Sequence, residues 1–249
     1  MRNHFPTALS FLTVFRLPRP TSDIVTAEDL AATFSFFPLV GIVLGGTILS
    51  VAYPLASFAP PLLLAVWITT LLAALTRALH LDGLADLADG IGGGYTKERR
   101  LEIMKDSRIG AFGAIALMLA LLFKVSAICS LVSHNAWSPI LLIPALSRTA
   151  MVLTAYKSPS ARSGEGLGKL FLQHMNSKHL YTACGIALAL SILLSPRFFL
   201  LYAALTVLTV LAIRRFTLKT LGGVTGDVLG ATNELTEILL FSAAACLAS

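Results

Sequence analysis

Long apolar stretches alternate with short polar ones along this chain, and runs of about 18 or more apolar residues recur, enough for a helix to cross a bilayer. The pattern places a first span at about 34–57 and a second at about 62–80. A third follows at about 111–133 and a fourth at about 138–156. The fifth and sixth fall at about 180–195 and 198–213, and a last runs from about 227 to 247. Residues 5–17 set Phe5, Leu9 and Leu12 on one helical stripe but are too short to span, so an interfacial or re-entrant helix is expected. Thr26-Ala27-Glu28-Asp29 reads as a capping box with Asp29 at the third helical position. Thr96 caps a short polar helix in KERRLEIMKDS, and Pro60-Pro61 makes the turn between the first two spans. Gly41 and Gly45 have the small-xxx-small spacing of close membrane-helix contacts. The expected fold is all-α: about seven transmembrane helices, an N-terminal interfacial helix and a short cytoplasmic helix, in one integral-membrane domain over residues 1–249.

Composition supports this class. Hydrophobic residues make up 56% of the chain and charged residues 13%, against about one quarter in soluble domains. Cys129, Cys184 and Cys246 lie in apolar segments and read as small core residues, without metal spacing. No cleavable signal peptide is evident. Charge placement sets the expected topology. The N-terminus and segments 81–110, 157–179 and 214–226 hold three, five, four and three Lys/Arg, fifteen of nineteen, which puts all four in the cytoplasm. Arg77, Lys124 and Arg148 fall within spans, and Arg197 lies in an opposite-side loop. The acids also gather toward the cytoplasmic side, so the chemistry is expected at one membrane face.

The chemistry concentrates in HLDGLADLADG at 80–90. Asp82, Asp86 and Asp89 stand at i, i+4 and i+7 and share one helix face with no base between them. Such a face persists where water solvates it or where a cation sits on it. The cation reading takes Mg²⁺, with phosphate oxygens completing its shell. A second acidic element lies in GGVTGDVLGATNELTE at 222–237. Thr225 reads as its N-cap. Asp227 and Glu234 share a face, Glu237 lies one turn on, and Asn233 flanks them. An ionisable group deep in a span is a functional candidate, while an acid in a first turn also suits the helix dipole.

Lys105, Arg108 and Arg148 are candidate phosphate partners, since a buried Arg needs an anion. Lys124 is similar and can snorkel. Arg77 stands near enough to pair with Asp82, and His80 points away from the aspartate face. The two acidic rows are expected to face one another around a shared Mg²⁺–diphosphate site. The alternative is that the second row is structural and pairs with Arg148 and Lys124. SGEGLGKL at 163–170 is not a Walker A loop, the histidines lack zinc spacing, and no nucleic-acid pattern is present.

Six stretches together resemble the cobalamin synthase family, the adenosylcobinamide-GDP ribazoletransferases. They are FLTVFRLPRP at 11–20, FFPLVGIVLG at 36–45, HLDGLADLADG at 80–90, LEIMKDSRIGAFG at 101–113, ALSR at 145–148 and GGVTGDVLGATNELTE at 222–237. They follow the family's order over nearly the whole chain; one departure is FLTVFRLP where members often read FLTRLP. The resemblance implies transfer from adenosylcobinamide-GDP to α-ribazole or its 5′-phosphate, release of GMP, Mg²⁺ as metal and the bacterial inner membrane as location. Onto that reaction the residues map as follows: Asp82, Asp86, Asp89 and Glu234 as catalytic, with Asp227 and Glu237 joining them as metal ligands. Lys105, Arg108, Arg148 and Asn233 then hold phosphates or nucleotide. The partners are the two substrates and the lipid bilayer, with no nucleic acid; a homo-oligomer stays open. Two competing readings are a CDP-alcohol phosphotransferase, for which Asp86 stands where an Arg belongs, and an ion-coupled transporter, which calls for midplane acids at a repeat interface.

Overall fold

The computed structural model describes residues 4–17, 26–162 and 172–248. Every regular element among these residues is helical, apart from an isolated bridge between Ser160 and Val224. The first helix, α1 (His4–Leu12), is shorter than the apolar stripe suggests and buries Ala8, Leu9 and Leu12 against the bundle. The Thr26 cap forms as expected: the Asp29 amide donates to Thr26 Oγ1 at 3.2 Å, and the Thr26 amide donates to Asp29 Oδ2 at 3.1 Å. It starts α2 (Ala27–Ala32), and a 3₁₀ turn at Thr33–Phe36 leads into α3 (Phe37–Leu55).

Among the described residues, five helical segments are long and apolar enough to cross a membrane: Ala27–Leu55, α7 (Ala111–Ser133), α8 (Ser138–Ala155), α9 (Ser177–Leu194) and α10 (Phe199–Leu221). Before α7 come α4 (Pro61–Leu75), α5 (Leu79–Gly93) and the short polar α6 (Lys97–Ile103). Taken as one broken span, α4 and α5 make a sixth, bent by 87°. The last helix, α11 (Gly226–Ala248), has 23 residues, about 35 Å of helix. It has the length to cross, but Asp227, Glu234 and Glu237 lower its hydropathy. Outward faces are apolar: Met118, Leu119, Leu122 and Phe123 on α7 are exposed, as are Leu200, Leu208 and Leu211 on α10. Such surfaces suit the hydrocarbon of a bilayer.

At the centre stands α8, which packs against α3, α9, α10 and α11. Its contact with α3 explains the two spaced glycines. A Cβ on Gly41 would lie 2.2 Å from the Pro144 carbonyl oxygen, and one on Gly45 2.5 Å from that of Leu141. The two backbones therefore touch directly.

The second span departs from expectation. Instead of running on to residue 80, it stops at Leu75 and turns at Thr76-Arg77-Ala78. The Ala78 amide closes back on the Ala73 carbonyl at 2.7 Å, and Arg77 and Ala78 both take left-handed backbone, each at φ 54°. Two such non-glycine residues cost about 1 kcal/mol or more each, so surrounding contacts must hold the joint. Arg77 supplies one: its Nη2 donates to the Phe11 carbonyl at 3.2 Å rather than pairing with Asp82. The Val14 amide supplies another, donating to the Leu75 carbonyl at 2.8 Å.

Candidate acidic site at one end of the helix bundle

Beyond the joint, α5 lies level with the starts of α7 and α11, so its acids sit at one end of the spans rather than inside them. Backbone contact sets this arrangement. A Cβ on Gly83 would lie 2.8 Å from the Asp227 carbonyl oxygen. Asp82 is exposed, Asp86 half-buried, and Asp227 sits beside them in the first turn of α11. Burial pushes the Asp86 carboxyl up to about 6, and the like charges of Asp82, Asp227 and Asp89 add to the push. Three carboxylates from two helices thus crowd one open face, where a cation relieves their repulsion.

Thr225 caps α11 as expected: its Oγ1 accepts from the Val228 amide at 3.2 Å. The preceding turn passes through Gly222 at φ 74°, a left-handed position. There residues 159–161 pair with Val224, through Ala161 amide to Val224 carbonyl at 3.0 Å and Val224 amide to Pro159 carbonyl at 2.8 Å. This bridge delivers Arg162 to the site, and its Nη2 lies 2.9 Å from Asp227 Oδ2. Arg162 Nε is buried and has no hydrogen-bond partner. Sequence reading missed Arg162, because the pairing that carries it here is long-range. The glycine-rich stretch 163–170 lies outside the described residues.

Asp89 shares the α5 face but has a different task. Its Oδ2 accepts from the Gly110 amide at 2.7 Å and its Oδ1 from the Gly113 amide at 2.8 Å. Both oxygens therefore cap the start of α7, where the helix dipole favours a carboxylate. A Cβ on Gly110 or Gly113 would approach those oxygens to 2.4 or 2.3 Å, which accounts for both glycines. Asp89 is buried and engaged, unlike Asp82.

Glu234 and Glu237 meet basic partners inside the bundle. Both are buried, and Lys124 Nζ from α7 donates to both, at 2.7 Å to Glu234 Oε2. Arg148 Nη1 pairs with Glu237 Oε1, which also accepts from Ser147 Oγ at 3.1 Å. Asn233, fully buried, donates from Nδ2 to Glu234 Oε1 and Glu237 Oε1, both at 3.3 Å. Two cations and two carboxylates balance inside the bundle, the pairing with Lys124 and Arg148 that the alternative reading of the second row calls for. Arg148 Nη1 and Asn233 Nδ2 are engaged in this network, while Arg148 Nε and Asn233 Oδ1 are buried without a hydrogen-bond partner. The physical reason is depth: Glu234 and Glu237 stand two to three turns into α11, while Asp227 stands at its start. Only Asp227 joins the α5 acids.

Lys105 and Arg108 remain outside, on the exposed turn after α6. Arg108 Nη2 is 2.6 Å from Asp106 Oδ2, and those hydrogen bonds hold the Asp106 carboxyl down to about 2. Among the described residues, no group of three or more His, Cys, Asp or Glu side chains is arranged to hold a metal by itself. A cation at Asp82 and Asp86 therefore needs oxygens from water or substrate. That suits Mg²⁺, which keeps several waters and takes one or two carboxylates together with substrate phosphates.

Comparison with known proteins adds a separate line of argument. A family profile described as cobalamin-5-phosphate synthase matches residues 4–245. The chain is 56% identical over 247 residues to an adenosylcobinamide-GDP ribazoletransferase of Syntrophobacter fumaroxidans, covering 99% of this chain and 100% of that protein. It is 39% identical over 244 residues to the protein of that name from Chlorobaculum tepidum, covering 96% and 93%. Against the Pseudomonas aeruginosa protein of that name it is 38% identical over 239 residues, covering 96% of each. No solved structure matches.

Proposed function

Because the chain belongs to the cobalamin-5-phosphate synthase family, we propose that its acidic face catalyses transfer from adenosylcobinamide-GDP to α-ribazole or its 5′-phosphate, with release of GMP. The observation that carries this reading is the meeting of Asp82, Asp86 and Asp227 from two helices at one end of the bundle, with Arg162 on Asp227. A diphosphate needs both kinds of group. Asp82 and Asp86 would hold Mg²⁺, with Asp227 across from them. When bound, the metal supplies charge neutralisation on the diphosphate.

In the transfer, the ribose hydroxyl oxygen bonds to the phosphorus on the cobinamide arm, and the bond from that phosphorus to the bridging oxygen breaks. GMP departs with the bridging oxygen. A carboxylate of the face that the metal leaves free accepts the hydroxyl proton. Arg162 is the cation positioned to meet a phosphate, through donors not used by Asp227. It takes the role expected of Arg148. The decisive assay is GMP release from adenosylcobinamide-GDP in membranes, with and without α-ribazole. Release that requires both α-ribazole and Mg²⁺ supports the reading, and no release with both present would sink it.

We read the face as cytoplasmic, on the inner membrane, and its share of Lys and Arg supports that reading. Cysteines introduced at Thr96 and Thr220, in a protein lacking Cys129, Cys184 and Cys246, are expected to react only with reagent supplied from the cytoplasm. One at Asn135 is expected to react from outside. The reverse pattern would invert the topology.

A further inference from the structure

We propose that His80 is a positioning residue that fixes α5, and with it Asp82 and Asp86, to the buried Lys124–Glu234–Glu237–Arg148 network; the catalytic part of this inference rests on the function proposed above. His80 is fully buried, two residues before Asp82. Residues two apart on a helix point to nearly opposite sides. The ring therefore enters the bundle while the carboxylate faces out, and one rigid turn connects them.

The ring's Nδ1 lies 3.4 Å from Arg148 Nη2. Arg only donates, so Nδ1 accepts and the ring is the neutral tautomer with hydrogen on Nε2. Nε2 is buried and has no hydrogen-bond partner. The backbone of α11 approaches the start of α5 closely, since a Cβ on Gly230 would lie 3.3 Å from the His80 backbone. Three and two residues before His80 come the left-handed Arg77 and Ala78, whose local preference does not favour the turn they make. Beside the joint, Thr76 and Leu81 line a cavity of about 10 Å³ together with Lys124, Arg148, Glu234 and Glu237, roughly room for one water. The start of α5 is thus strained on one side and loosely filled on another, and the His80–Arg148 contact is its polar tie to the network.

The test compares His80→Asn with His80→Gln. The Asn oxygen falls near the position of Nδ1 and keeps an acceptor for Arg148, whereas the Gln amide reaches toward Nε2 and loses it. His80→Gln is expected to lower kcat on the order of 100-fold with KM for both substrates within about threefold, as for misplaced rather than missing binding groups. His80→Asn is expected to stay within roughly tenfold of wild type. A structural readout accompanies activity: nitroxides on cysteines at Ala88 and Leu218, in the protein without native cysteines, report the place of α5 relative to α10. The distance distribution is expected to match wild type in His80→Asn and to shift or broaden in His80→Gln. Equal behaviour of the two variants overturns the inference. So does lost activity in His80→Gln with an unchanged distance distribution, which would mean that the ring does not act through the place of α5. If the wild-type protein releases no GMP, the proposed function fails while the distance comparison still decides whether His80 holds α5.

Discussion

Asp82→Asn and Asp86→Asn are each expected to lower GMP release by about 10²–10³-fold, the loss typical when one electrostatic partner of a transition state is removed. The folded protein should persist in the membrane. Both changes keep side-chain shape, and Asp82 is exposed, so no buried contact is lost. Asp86 even gains in one respect: its ionised form is opposed by burial and by Asp82, Asp227 and Asp89, and the amide removes that repulsion. Asp89→Asn should behave differently. Its two oxygens accept from Gly110 and Gly113, and the Asn amide nitrogen would face one of those donors. A lost charge-assisted bond and an unsatisfied amide cost about 1–3 kcal/mol, so thermal stability in detergent should fall. Mg²⁺ titrations of GMP release separate the cases. Near-wild-type turnover in both Asp82→Asn and Asp86→Asn would rule out the acidic face as the metal site. Unchanged stability in Asp89→Asn would remove the capping role.

The local features of this fold were readable because their causes are local. The Thr26 and Thr96 caps and the long apolar helices follow from neighbouring residues, and the Gly41–Gly45 spacing marked a close helix contact without naming α8 as its partner; all stand in the structure. The break at Thr76-Arg77-Ala78 was not readable, since no glycine or proline marks it and left-handed Arg and Ala run against backbone preference. Contacts to α1 and the packing of α5 impose it. Periodicity set Asp227, Glu234 and Glu237 near one side of α11 and offered two sets of partners, the α5 aspartates with Mg²⁺ or Arg148 with Lys124, without a way to choose between them. That depended on Lys124 and Arg148 arriving from α7 and α8. The family resemblance supplied the reaction, yet Arg162 entered the site only through pairing of residues 159–161 with Val224.

The buried network gives the second large effect. Glu237 receives Lys124, Arg148 and Ser147 at once, all buried. Glu237→Gln leaves the two cations facing one remaining carboxylate, Glu234, in a region where water cannot compensate them. Removing one partner of a buried pair costs about 3–5 kcal/mol, a large part of the roughly 5–15 kcal/mol that stabilises a typical domain. The expected result is a sharp fall in folded protein recovered from membranes, with a lowered melting temperature in detergent. Restoring the balance should restore much of the fold. In Lys124→Met with Glu237→Gln, Arg148 and Glu234 remain as one cation and one anion, and the Met side chain fills most of the Lys stem's volume. The double variant should therefore be more stable than Glu237→Gln alone. Activity per folded molecule provides the contrast with the α5 aspartates. If Glu237 is structural, the folded fraction of Glu237→Gln keeps turnover within about tenfold of wild type at saturating Mg²⁺, since no group of the transition state is removed. If that fraction instead folds normally and loses activity as Asp82→Asn does, Glu237 belongs to the metal site and the division of α11 into one catalytic acid and two structural ones fails.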